Sequence, residues 1–124
     1  MAPSAILSLP RRTQEFYAAA NAGTQRLEIV YVSSDSNQQE FEGARHSQPW
    51  LAIPYADEAA RTALKRRYGV CAMREAAALG VAPRKAGIPS LVVVNKAGDV
   101  VEFDGVKAAF VGNMGVVGTW MQNL

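Results

Sequence analysis

The sequence predicts an α/β fold in which helices alternate with strands and a hairpin follows. Two strand-like runs, Leu27-Glu28-Ile29-Val30-Tyr31-Val32-Ser33 and Ser90-Leu91-Val92-Val93-Val94-Asn95, are rich in β-branched residues. Amphipathic segments precede and separate them, and Lys96-Ala97-Gly98-Asp99 supplies a tight turn after the second. The predicted order is helix, strand, helix, strand, helix, strand, strand, helix. That order implies a layered, mixed parallel and antiparallel sheet.

At the start, Ser8 is a candidate cap for a helix with Pro10 in its first turn. Leu9, Thr13, Phe16, Tyr17 and Ala20 then form a stripe at spacings of three and four, and Gly23 is a reasonable stop. Ser4–Leu9 reads either as a short strand or as a lead-in. Leu27–Ser33 has the near-continuous apolar character of a strand buried on both faces. Ser36 with Gln39 resembles a capping box, opening a helix that carries Phe41 inward.

Leu51-Ala52-Ile53-Pro54-Tyr55 reads as a short strand at an edge or ending at Pro54, because proline cannot donate to a ladder. Asp57 caps a helix to Tyr68, with Gly69 at its end. Residues 71–86 break the pattern and read as a surface insertion. Val100-Val101-Glu102-Phe103 returns as the hairpin partner of Ser90–Asn95. The tail carries Gly112, Gly115 and Gly118; a short helix over Lys107–Val111 fits, and a long one does not.

Composition narrows the function. The chain has 124 residues, the length of a single domain over 1–124, and 49% are hydrophobic, which excludes wholesale disorder. No apolar run is long enough to span a bilayer. The net charge of +2 does not argue for nucleic acid, and the basic clusters Lys65-Arg66-Arg67 and Arg84-Lys85 read as solvated surface. Met1–Pro10 lacks a secretory signal, so the protein reads as cytoplasmic. With one cysteine there is no intrachain disulfide and no Cys-x-x-Cys pair. His46 is the only histidine and reads as a solvent-facing loop residue; no metal site and no cofactor is implied.

Three blocks together resemble the tryparedoxin–nucleoredoxin branch of the thioredoxin superfamily. They are Leu27–Asp35, Pro49-Trp50-Leu51-Ala52-Ile53-Pro54-Tyr55-Ala56-Asp57 with Tyr68-Gly69-Val70, and Gly87-Ile88-Pro89-Ser90-Leu91-Val92-Val93-Val94 with Gly98-Asp99-Val100-Val101. The resemblance implies a thioredoxin-like three-layer fold and an ancestral thiol–disulfide exchange on protein substrates. It also implies a substrate groove at the proline after Ile88, a bond that is usually cis in the family; Trp50 sits either in the packed interior or on the groove's rim.

The sequence departs from the family where the chemistry should lie. Met1–Arg12 contains neither the Trp-Cys-x-x-Cys segment nor a clear strand before it. The N-terminal strand is therefore expected to be missing or shortened. Its slot needs filling by Ser4–Leu9, by another chain as in a homodimer, by re-pairing of the sheet, or by residues of a longer gene product. The leading expectation is a truncated or degenerate domain without dithiol catalysis, binding protein or peptide at Ile88, Pro89 and Ser90 by strand addition. The alternative is a residual protein-disulfide oxidoreductase using Cys71 or a partner's cysteine, with Arg74, Arg84 and Lys85 available to stabilise a thiolate.

Overall fold

A computed structural model describes residues 2–107 and 114–122, with side chains from residue 11 onward. The chain divides into two compact units, one of Met1–Glu28 with Leu91–Leu124 and one of Ile29–Ser90.

In the first unit, helix α1 spans Ala2–Ala20. Ser4–Leu9 is thus helical, the lead-in of the two readings the sequence left open and not the strand. The alanines near the start favour helix, and Pro3 takes the first-turn place that the sequence had offered to Pro10. Thr13, Phe16 and Ala20 are buried, as the stripe required. Beyond the helix the Asn21 side-chain oxygen accepts from the Arg26 and Leu27 N–H groups at 2.8 and 3.1 Å. The Arg26 Nε donates to the Ala20 carbonyl at 2.7 Å.

Strands β3 (Val93–Val94) and β4 (Val100–Glu102) of this unit pair antiparallel. The Asn95 side-chain oxygen accepts from the Ala97 and Asp99 N–H groups, both at 3.0 Å. Gly98 adopts φ +86°, a conformation that side chains strain to reach. The tail adds helix α5, Gly115–Met121, which the sequence did not predict. Trp120 meets Phe16 with ring centroids 5.9 Å apart. Phe16, Ala20, Val117 and Trp120 form the core, flanked by Leu27, Leu91, Val93 and Val101. That burial offsets the helix cost of two glycines, roughly 1 kcal/mol each. The short helix expected over Lys107–Val111 lies, from residue 108, outside the described residues.

In the second unit, β1 (Val30–Tyr31) and β2 (Leu51–Ala52) pair in parallel, Val30 beside Leu51 and Tyr31 beside Ala52. Val30 and Leu51 are exposed, so the expectation of a strand buried on both faces is corrected. Only two residues of the Leu27–Ser33 run enter the ladder, in which the Leu51 N–H donates to the Ile29 carbonyl at 3.1 Å and the Ile53 N–H to the Tyr31 carbonyl at 2.9 Å. Helix α2 (Gln38–Arg45) begins one residue later than the predicted box: Asn37 is the cap and Glu40 the acidic partner. The Glu40 N–H donates to Asn37 at 2.9 Å and the Ser36 N–H to the Glu40 carboxylate at 2.9 Å. A carboxylate in the first turn complements the helix dipole, which Gln39 cannot do.

Phe41 is buried between Tyr31, at 5.9 Å, and Tyr55, at 5.7 Å. Helix α3 (Glu58–Tyr68) follows with the predicted ends: the Asp57 side chain accepts from the Ala60 N–H, and Gly69 closes it at φ +69°. Its buried residue is Lys65. The segment 71–86, expected at the surface, holds a 3-10 turn over Met73–Glu75 and helix α4 (Ala76–Leu79). It buries Cys71, Ala72, Ala76 and Val81, while Met73, Arg74, Ala77, Ala78, Pro83 and Lys85 are exposed. Among the described residues no helix is long and apolar enough to cross a membrane.

Candidate functional site

Four consecutive residues, Gly87-Ile88-Pro89-Ser90, form a loop whose base is pinned. The Ile88–Pro89 peptide bond is cis, as is Ala82–Pro83. Ile88 is 54% exposed, one of several exposed large apolar residues with Leu51 and Met73, and Pro89 is exposed beside it. Below them the Ser90 Oγ donates to the Gly87 carbonyl. The Arg84 guanidinium lies against Gly87, where an added Cβ would stand 2.6 Å from Nη1. The same Nη1 donates to the Cys71 carbonyl at 2.9 Å.

Backbone bonds complete the brace. The Lys85 and Ala86 N–H groups donate to the Gly69 carbonyl at 2.7 and 3.4 Å, and Val70 bridges Ala86 in parallel. The loop is therefore carried by the end of α3 and by Arg84. The sequence named Arg84 as a candidate for stabilising a thiolate; the structure gives its donor to the Cys71 carbonyl instead.

The remaining expected site residues lie beneath the surface. Cys71 is 1% exposed and packs with Ala76, Val81 and Leu79. Its thiol meets a protein substrate only if that cluster opens. Trp50 is 8% exposed and its carbonyl accepts from Arg45 Nη1 at 2.5 Å. It is a packed aromatic at the entry to β2, which leaves Ile88 and Pro89 exposed and Ser90 half-buried among the expected set.

One half-buried constellation escaped the sequence reading. Glu75 accepts from Lys65 Nζ at 2.8 Å, from the Ala72 N–H at 2.8 Å and from the Ser34 hydroxyl. Burial disfavours its charge, but donation from Lys65, Ser34 and the Ala72 N–H outweighs this and holds its pKa below the usual carboxylate value. No capping-box signature marked it, because Ala72 lacks the side-chain oxygen that such a box requires at the cap. Nearby, the Tyr31 hydroxyl donates to Asp35 at 2.7 Å; its pKa is pushed up to about 12, first by burial and then by that bond. Among the described residues no group of three His, Cys, Asp or Glu side chains is placed to hold a metal ion.

These features can be set beside known proteins. A model of the thioredoxin-like family matches residues 4–100. Nucleoredoxin of Bos taurus is 35% identical over 98 residues, covering 79% of this chain and 19% of the relative. Nucleoredoxin of Homo sapiens is 34% identical over 98 residues, again 79% of this chain and 19% of the relative. Probable nucleoredoxin 2 of Oryza sativa subsp. japonica is 32% identical over 81 residues, 65% of this chain and 17% of the relative. The chain spans about a fifth of the length of the curated relatives it matches. No solved structure matches it. With a family match over most of its length and a layout of helices and small sheets, this chain belongs to the thioredoxin-like family and is α/β in class.

Proposed function

We propose that this chain is a nucleoredoxin-related domain that binds extended peptide at Ile88–Pro89–Ser90 and performs no dithiol exchange by itself. The observation that carries the reading is Ile88, a large aliphatic side chain 54% exposed on a loop braced from below by Arg84 and Ser90. An apolar side chain on a pre-organised loop offers a partner contact area at little ordering cost. A peptide laid along it gains backbone hydrogen bonds, as in strand addition.

Chemistry supports the second half. Intramolecular dithiol exchange needs an attacking thiolate and a second cysteine that closes the disulfide and releases the mixed intermediate. These 124 residues contain one cysteine, and it is buried. A single thiol also suits a reducing, cytoplasmic setting.

Two assays test the reading. Insulin-disulfide reduction by the chain and by Cys71→Ser is expected to be equal and at background; Cys71-dependent turnover would overturn the non-catalytic half. Amide chemical-shift mapping with an extended apolar peptide is expected to centre on residues 86–92. Unchanged binding in Ile88→Asp and Pro89→Ala would remove the loop from the function.

A further inference from the structure

Charge is distributed unevenly around this loop. Residues 65–90 contain six cations, Lys65, Arg66, Arg67, Arg74, Arg84 and Lys85, and one acid, Glu75, a balance of +5. The whole chain carries +2, so the other residues sum to −3. Glu75 neutralises little of the excess, because the buried Lys65 occupies it at 2.8 Å.

The fold brings two of the remaining cations, Arg84 and Lys85, to the base of the loop, whereas Arg74 donates to the Ser34 carbonyl and Arg67 lies over the Tyr68 ring. Lys85 donates its N–H to the Gly69 carbonyl, and its methylenes stand 3.0 Å from where a Gly69 Cβ would be. Arg66, in the last turn of α3, donates Nε to the Leu79 carbonyl at 2.7 Å, and Arg84 lies against Gly87. Arg66, Arg84 and Lys85 take part in no ion pair among the described residues. Each carbonyl contact engages one donor of a guanidinium that has five.

We infer that the peptide accepted at Ile88–Pro89–Ser90 is acidic, its carboxylates facing Lys85 and Arg84. The inference rests on the reading of that loop as a peptide site. Arg84 and Lys85 precede Ile88 by four and three residues, so the carboxylates belong in the part of the peptide flanking the residue opposite Ile88. Nucleic acid fits less well. Single strands want exposed aromatic platforms, and the one aromatic residue between 65 and 90 is Tyr68, whose ring already carries Arg67 at 5.5 Å.

Fluorescence anisotropy of the full chain tests this with two labelled peptides sharing a Val-Thr core, one flanked by Glu and Asp, the other by Gln and Asn. At low salt the acidic peptide is expected to bind about ten-fold more tightly, with the gap closing as salt screens the charges. Lys85→Glu is expected to abolish the gap and Lys85→Gln to halve its logarithm. Ile88→Asp weakens both peptides. Equal affinities that Ile88→Asp still reduces would overturn the acidic preference and leave the loop reading standing. Binding of neither peptide would overturn both. A mixed-sequence single-stranded DNA that outcompetes the acidic peptide, or a gap untouched by Lys85→Glu, would also overturn it.

Discussion

Lys65 Nζ lies 2.8 Å from Glu75 Oε1, with the Lys65 side chain 6% and the Glu75 side chain 21% exposed. The pair ties α3 to the 3-10 turn, and Glu75 reaches Ser34 as well. Removing one member strands the other. Glu75→Ala is expected to destabilise the protein by about 3 kcal/mol, read as a shifted urea midpoint, and Lys65→Met by less, since the stem still packs.

The same carboxylate sets an acid limb. Its folded pKa is below the ordinary 4.5, so its ionisation contributes stability that is complete above that value. The contribution is lost as pH falls below 4.5 through the depressed folded value. Urea melts across this range are expected to show a shallower loss in Glu75→Gln than in the parent; parallel acid limbs would contradict this.

Tyr31 sets an alkaline limb of opposite sense. Its folded pKa of about 12 stands above the ordinary 10, so the neutral phenol stabilises the fold below pH 10. That stability disappears as pH rises towards 12. Ultraviolet phenolate titration is expected to lose its latest-titrating tyrosine in Tyr31→Phe, and the variant's stability is expected to vary less over that interval.

Two glycines are expected to answer substitution oppositely. Gly118 is exposed in α5, and an added Cβ meets nothing within 4 Å. Gly118→Ala should stabilise by about 0.5–1 kcal/mol. Gly105 is buried, and its Cβ would stand 2.7 Å from the Leu91 carbonyl oxygen, so Gly105→Ala should lower the melting temperature.

Cys71 is expected to resist a thiol reagent under native conditions and to react at once in denaturant, since the thiolate must reach solvent. Cys71→Ser places a hydroxyl against Ala76 and Val81 and should cost about 1–3 kcal/mol. Rapid native labelling would refute the burial.

Local chemistry wrote much of this protein into its sequence. Asp57 and Gly69 bound α3, Asn95 to Asp99 turn the hairpin, and the blocks around Trp50 and Gly87-Ile88-Pro89 carried the family, because caps, turns and motifs involve residues close along the chain. Tertiary contact decided the rest. Helix α5 exists against its glycines because Trp120 finds Phe16 from the far end of the chain. Glu75 is half-buried and charged because Lys65 and Ser34 come to it across 10 and 41 residues. Arg84 braces the proline loop through the Cys71 carbonyl, 13 residues away. Such partners have no fixed spacing, so only packing, which sets what is excluded from water, selects them.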